Sequence, residues 1–264
     1  MAYQNSLTTN QALEFHRRTL QTKPIPLMTS FRKPPILTLA VLVTTAFLSS
    51  ISARGGPPGS VAPTGPTNFV VRPDSAVKAP DAAGFLQRWL ILDPIPANGV
   101  TQNAVQAAVK KEYFPNQLTL IPHDGDKVTV SGTDLTWHAF DTKFYNFSLY
   151  HFGLLLNKST ANVLMWGVTL VNSPEERHDV RLAIGSNDAS VWWVNGQEVI
   201  GLYGDRLTVI DDGVSKKLTL KKGQNVIRFA IHNQGGNTDF CARFLDASDM
   251  PITDLTLNVG DLTP

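Results

Sequence analysis

Short runs of alternating apolar and polar residues, separated by turn signals, fill the second half of the chain and constrain its fold most. The alternation is clearest in VIRFAI at 226–231, and the turn pairs Asn195-Gly196 and Asp212-Gly213 stand between such runs. These pairs favour tight hairpins, and short strands at this spacing are typical of sandwiches and barrels. The sequence therefore predicts a mainly β fold.

The elements expected from this pattern are ten strands and one short helix. The helix is predicted over TQNAVQAAVKKEY at 101–113, where Thr101 provides an N-cap and the apolar positions recur with helical spacing. The strands are predicted at 127–132, 135–141, 162–171, 180–185, 190–194, 206–210, 215–220, 225–232, 240–245 and 252–257.

An uncharged apolar run, ILTLAVLVTTAFLSSISA, occupies residues 36–53. A helix of this length rises about 27 Å, close to the roughly 30 Å of a bilayer core, so the run predicts a single transmembrane helix. A cleaved signal peptide is the alternative. It is disfavoured because the run exceeds the usual apolar region of about 7–15 residues, and because Ile51 occupies a cleavage position that requires a small side chain.

The charges around this run predict its orientation. Residues 1–35 contain five basic residues and one acidic residue, Glu14. The positively charged flank of a membrane helix stays in the cytoplasm. We therefore expect an inner-membrane protein with a cytoplasmic arm at 1–35, a transmembrane helix at 36–53, a linker rich in Pro and Gly at 54–84, and an exported, periplasmic β-sandwich domain at 85–264.

Composition and motifs exclude several classes of function. The 23 Lys and Arg residues nearly balance the 22 Asp and Glu residues, so the basic footprint of a nucleic-acid-binding protein is missing. The single cysteine, Cys241, allows no intrachain disulfide and is expected to be buried in a strand. The sequence lacks a GxSxG elbow, an HExxH motif and a P-loop. We therefore predict no enzymatic activity, no cofactor and no metal site.

Three segments carry a resemblance to a known group of domains. They are FLQRWLILDPIP at 85–96, IGSNDASVWWVNGQEV at 184–199, and the pair LTLKKGQN at 218–225 and FCARF at 240–244. Together they resemble the bacterial galactose-binding-like, or carbohydrate-binding-module-like, β-sandwich modules over about 85–257. The resemblance implies a jelly-roll sandwich of the kind attached to secreted glycosidases or esterases, or found in other exported proteins.

Two departures from this group bear on ligand binding. The Asp-Asp-Gly turn of the group is replaced by Asn187, Asp188 and Ala189, and the glycine of its Gly-Pro opening is replaced by Asp93. The first change removes a carboxylate from the turn where the resemblance would place a calcium ion or sugar hydroxyls. This change lowers the expectation of a ligand site at that turn.

The candidate contact residues lie in the same segment. Trp192 and Trp193 are adjacent on a predicted strand, so their side chains point to opposite faces. One is expected in the core, and the other is a candidate for stacking on a sugar or packing on a protein partner. Of these interpretations, a core role for both is favoured. Asn187, Asp188 and Asn195, together with Gly196, are candidates for a polar ligand rim, but a tight hairpin is the favoured interpretation of these residues.

These observations lead to two main hypotheses for function. The first is a non-catalytic structural or accessory subunit of a bacterial membrane assembly, in contact with the membrane and other membrane protein subunits. A photosynthetic reaction-centre or light-harvesting complex is the suspected example. The alternative is a membrane-tethered module of the cell surface that binds a polysaccharide. Enzymatic activity is a third and weaker hypothesis.

Overall fold

A computed structural model of the chain describes residues 69–99 and 101–260. The predicted cytoplasmic arm, the predicted transmembrane helix and most of the predicted linker lie outside these residues. Across 69–99 and 101–260, no helix is both long enough and apolar enough to cross a membrane.

The described residues form fifteen strands and two helices. In chain order these are β1 (Val70–Val71), β2 (Arg88–Leu92), β3 (Ile95–Pro96), α1 (Gln102–Lys110), β4 (Lys127–Val130), β5 (Thr133–Thr142), β6 (Phe147–Ser148), α2 (Leu149–Leu155), β7 (Val163–Ser173), β8 (Arg177–Asn187), β9 (Ala189–Val194), β10 (Gln197–Leu202), β11 (Gly213–Val214), β12 (Leu218–Leu220), β13 (Gly223–Asn233), β14 (Asp239–Leu245) and β15 (Thr256–Asn258).

The strands form two antiparallel sheets, which confirms the prediction of a mainly β sandwich. The larger sheet has the strand order β1-β5-β2-β7-β13-β9-β10, with β3 and β15 also paired to β7 and β4 paired to β5. The smaller sheet has the order β11-β8-β14-β6, with β12 also paired to β8. Strand β1 lies in the segment predicted as a linker, and Val70 pairs with Thr142 of β5.

The main core lies between the two sheets and is rich in aromatic side chains. Phe240 of the smaller sheet contacts Trp89, Trp192 and Phe229 of the larger sheet, with ring centroids 5.1, 5.6 and 4.4 Å apart. All four side chains are fully buried. Because buried apolar area is the main favourable term in folding, this cluster is central to the stability of the sandwich.

A second core covers the opposite face of the larger sheet. Trp166 of β7 stacks on Trp193 of β9 with ring centroids 5.2 Å apart, and Phe114 packs against Trp166 at 6.0 Å. Helix α1 contributes Val109 to this cluster. Successive residues of a strand point to opposite faces of the sheet. Where the sheet is covered on both faces, successive residues are therefore all buried. The larger sheet is therefore buried on both sides along β7, β9 and β13.

Most predicted elements are confirmed, with differences at their ends. Helix α1 begins after Thr101, whose hydroxyl accepts a hydrogen bond from the backbone N–H of Ala104 at 3.3 Å. Cys241 is buried in β14, and burial raises the pKa of its thiol to about 12. The strand predicted at 206–210 is wrong, because this segment is an irregular connection between β10 and β11. Helix α2, the strands β2 and β10, and the two-residue strands β1, β3, β6 and β11 were not predicted.

Candidate functional site

A pocket of about 410 Å³ opens at one end of the sandwich. It is formed where three connections meet, namely those that join β8 to β9, β10 to β11, and β13 to β14. Its lining residues are mostly polar: Asn187, Asp188, Asp205, Leu207, Gln234, Gly235 and Asn237. Loops at the end of a rigid β scaffold are a common position for binding residues.

Asp188 is the most buried polar residue of the pocket, with 8 % of its surface exposed. Burial raises the pKa of its carboxyl group, hydrogen bonds from the backbone N–H groups of Gln234 and Arg206 oppose this rise, and the neighbouring charge of Asp205 adds to it. The Asp205 side chain also hydrogen-bonds to this carboxyl group. A carboxylate offers about four acceptor positions, so these three partners leave about one position open to a ligand.

A chain of buried hydrogen bonds connects the main core to the backbone of Asp188. The indole N–H of Trp192 donates to the Ser190 hydroxyl at 3.0 Å, and the Ser190 and Ser186 hydroxyls lie 2.8 Å apart. The Ser186 hydroxyl then donates to the backbone carbonyl of Asp188 at 3.0 Å. The core tryptophan therefore holds the pocket turn in position. The peptide bond between Asn187 and Asp188 is cis.

The connection between β10 and β11 carries Asp205 and Leu207 to the pocket and is fastened to the smaller sheet. The Thr208 hydroxyl donates to the carboxylate of Asp239 at 2.6 Å. Gly185 of β8 allows a close approach of this connection, because a Cβ atom there would lie 2.2 Å from the carbonyl oxygen of Val209. The absence of a side chain at Gly185 therefore permits the observed position of this wall of the pocket.

The lining residues together offer acceptors and donors to a hydroxyl-rich ligand. The carboxylates of Asp188 and Asp205 accept hydrogen bonds, whereas the side-chain amides of Asn187, Gln234 and Asn237 both donate and accept. A sugar hydroxyl also donates and accepts, so neighbouring hydroxyls of one sugar match such a set.

The residues present do not fit the calcium ion that the resemblance suggested for this turn. Calcium takes six to eight oxygen ligands, and Asn187 stands where the resembling modules have a carboxylate. Two N–H groups already occupy acceptor positions of Asp188. Within residues 69–99 and 101–260, no group of three or more His, Cys, Asp and Glu side chains is placed to hold a metal ion.

The two candidate tryptophans are both buried, which agrees with a core role for both and not with a contact role for one of them. Trp192 has no exposed surface and lies in the main core, whereas Trp193 is 5 % exposed and stacks on Trp166 in the second core. The physical reason is that helix α1 and the residues after it cover the outer face of the larger sheet. Neither indole is available to stack on a sugar or a protein partner.

The three candidate polar residues separate into two places. Asn187 and Asp188 line the pocket, at the start of β9. Asn195 lies at the other end of β9, in the turn to β10, where its side chain donates to Asn225 at 2.9 Å and accepts from the backbone N–H of Val226 at 2.9 Å. Its φ angle of 51° is the conformation that an Asn-Gly hairpin turn requires. Asn195 therefore serves the hairpin and not the pocket.

Three pocket residues were missed as a site by the sequence analysis. They are Asp205, Gln234 and Asn237. Gln234 carried no signal of its own. The strand order brings these loops together, because β9 pairs with β13, and Asn187 of β8 pairs with Asp239 of β14.

Comparisons with known proteins give only distant similarities. No family model matches the chain, and no curated protein matches it. A solved PA14 sugar-binding domain from an RTX adhesin is 13 % identical with a TM-score of 0.37, and the match covers 64 % of this chain and 96 % of that domain. The GH31 alpha-xylosidase from Xanthomonas citri is 9 % identical with a TM-score of 0.28, and the match covers 69 % of this chain and 18 % of the xylosidase. Neither similarity is close enough to establish a shared fold or a shared ligand.

Proposed function

We propose that this domain is a non-catalytic glycan-binding module and that its ligand occupies the pocket at Asp188. The observation that carries the proposal is the convergence of polar side chains from three loops around a carboxyl group that is 8 % exposed. Concave sites with a few well-placed polar groups are the usual form of ligand sites. The proposal includes a galactose-binding-like, jelly-roll identity for the sandwich, which rests on the segments at 85–96, 184–199 and 218–244.

The charge of the pocket favours a neutral sugar. Two carboxylates line it and no Lys or Arg side chain does, so an acidic sugar would meet like charge there. Leu207 is 76 % exposed and provides an apolar wall beside the polar groups. This combination suits a sugar ring, which presents hydroxyls at its edge and C–H groups on its face.

The accessory-subunit role is the second candidate, and one observation favours it. Four exposed apolar side chains, which are 43–76 % exposed, lie in one stretch of the chain between β10 and the end of β11: Leu207, Val209, Ile210 and Val214. Exposed apolar groups that cluster on a surface often mark a protein contact. Nothing in the described residues favours the photosynthetic example. The membrane anchor and the periplasmic location remain predictions from residues 1–53.

The experiment that tests the glycan proposal is a screen of the full chain on a neutral and acidic glycan array, followed by titration of the strongest neutral binder. We expect Asp188→Asn to weaken binding at least tenfold, because it removes one charged acceptor from a desolvated site. Addition of EDTA is expected to leave binding unchanged, because the pocket residues do not fit a calcium ion.

Asp74→Asn provides the matched control, because it removes the same charge from an exposed residue outside the pocket. It is expected to bind the glycan like the unmodified chain. The proposal fails if no neutral glycan binds, or if both variants lose binding equally. If EDTA abolishes binding, the ligand is held through a metal ion and not directly by these side chains.

A further inference from the structure

A second depression lies far from the pocket, where the edge strands β10 and β12 of the two sheets approach each other. This basic groove has a volume of about 680 Å³. It is lined by Val194, Asn195, Gln197, Glu198, Val199, Lys216, Lys217, Leu218, Thr219 and Lys221. Strand β9 separates it from the pocket, and its 6 residues of extended chain span about 20 Å, so the two sites are distinct.

The charge of the basic groove is positive and partly uncompensated. Lys217 lies 3.6 Å from Asp179, and Glu198 is paired with Lys110 at 2.8 Å. Lys216 and Lys221 have no ion-pair partner among the described residues, and both are exposed. The only carboxylate that lines the groove is therefore neutralised, whereas two ammonium groups remain free to bind an anion.

The floor of the basic groove is apolar and its walls are firmly held. Val199 and Leu218 pack against the main core from the groove side. The hairpin wall and the wall at Lys221 are joined through Asn225, whose side chain accepts from the backbone N–H of Lys221 at 3.0 Å and from Asn195 at 2.9 Å. Such pre-organisation lowers the entropic cost of binding.

We propose that the basic groove binds an acidic polysaccharide, with sugar rings on the apolar floor and carboxylates at Lys216 and Lys221. A groove with a partly apolar floor accommodates a chain of rings. A membrane surface is usually recognised by clusters of about four to eight basic residues, more than line this groove. The overall formal charge of +1 argues against a nucleic acid. This inference goes beyond the neutral-glycan pocket and does not depend on it.

The test measures binding of the full chain to polygalacturonate and to the same polymer after complete methyl esterification. The ester keeps the rings and loses the charge. We expect polygalacturonate to bind and the ester to bind about tenfold more weakly or not at all. The double variant Lys216→Ala/Lys221→Ala is expected to weaken polygalacturonate binding by about tenfold, since each exposed ion pair contributes modestly. Binding is also expected to weaken with rising salt.

The matched control is Lys127→Ala/Lys143→Ala, which removes the same charge from two exposed lysines outside the groove. Equal loss in both double variants would overturn the proposal, because it would show a non-specific charge effect. Equal binding of the ester would also overturn it. Vesicles with one quarter phosphatidylserine serve as a third arm, and binding to them in place of polygalacturonate would assign the groove to a membrane. Asp188→Asn is expected to retain polygalacturonate binding, so failure of one proposal does not imply failure of the other.

Discussion

The two turns that flank β9 differ in what their polar groups do. At one end, Asn195 directs its side chain to Asn225 and Val226, so its hydrogen bonds are used within the fold. At the other end, Asn187 and Asp188 line an open pocket. Both turns carry an asparagine and both are candidate ligand rims by sequence. A polar turn is therefore available for binding only where neighbouring chain segments leave its hydrogen-bonding capacity free.

Replacement of the tryptophan that supports the pocket turn should have the largest effect. Trp192→Ala removes a fully buried indole and is expected to lower the free energy of unfolding by about 3–5 kcal/mol. Trp192→Phe keeps a ring but loses the hydrogen bond to Ser190, so it should retain more stability and still weaken glycan binding. Urea denaturation together with a glycan titration checks both. Unchanged binding in Trp192→Phe would contradict the support of Asp188 through Ser190 and Ser186.

Loss of the asparagine that fastens the hairpin turn should reduce stability next most strongly. Asn225→Ala leaves the Lys221 backbone and Asn195 without their buried partner and is expected to cost about 2–3 kcal/mol. Asn237→Ala, at the pocket, should change stability by less than about 0.5 kcal/mol because Asn237 is exposed. Thermal unfolding of both variants measures the contrast. An equal loss of stability in the two variants would contradict the claim that the hairpin turn uses its hydrogen bonds within the fold and the pocket turn does not.

A methyl group added at Gly185 should displace the connection between β10 and β11, which forms one wall of the pocket. Gly185→Ala places a Cβ atom against the Val209 carbonyl, so the connection between β10 and β11 must shift. Overpacking of this kind is expected to cost about 1–2 kcal/mol and to weaken neutral-glycan binding through Asp205 and Leu207. Titration with the glycan, and with polygalacturonate as a comparison, checks this. Full retention of neutral-glycan binding would show that this connection does not form part of the site.

Acid should produce the smallest effect on stability, and the direction of this effect follows from Asp188. Its folded-state pKa is raised above the ordinary value of 3.8, so protonation at falling pH removes an acceptor and glycan binding should weaken in that window. The raised pKa also affects stability, because between pH 3.8 and the folded-state pKa the folded state binds the proton more tightly than the unfolded state does. The free energy of unfolding should therefore fall slightly as pH rises through this range. Asp188→Asn should remove the part of the pH dependence of binding and of stability that comes from this carboxyl group. A pH profile that is identical in this variant would assign the titration to another group.

Much of the fold could be predicted from the sequence because its signals are local. The alternation at 226–231 and the Asn195-Gly196 turn predict β13 and the hairpin, and Thr101 predicts the start of α1. The segment 206–210 also alternates, but Leu207 and Val209 are exposed and the segment pairs with no strand, so its pattern gave a false strand. Alternation predicts a strand only where one face is buried.

Most of the pocket could not be predicted, because it depends on contacts distant in sequence, whereas the burial of the tryptophans has a local signal. The nearly continuous apolar run of β7 is a signal that the larger sheet is covered on both faces, and it would have placed Trp193 in a core. No comparable signal identifies Gln234, Asn237 or Asp205 as neighbours of Asp188. Their proximity arises from the strand order alone.

The most direct test is the shift in unfolding temperature that the neutral glycan causes in the unmodified chain and in Asp188→Asn. A ligand at 100 times its Kd stabilises the folded state by about 2.7 kcal/mol. We predict a clear rise for the unmodified chain, and for Asp188→Asn an equal or higher unfolding temperature without ligand and little rise with it. A variant that unfolds earlier without ligand, or that gains as much from the glycan, would contradict a binding role for Asp188 that is separate from folding.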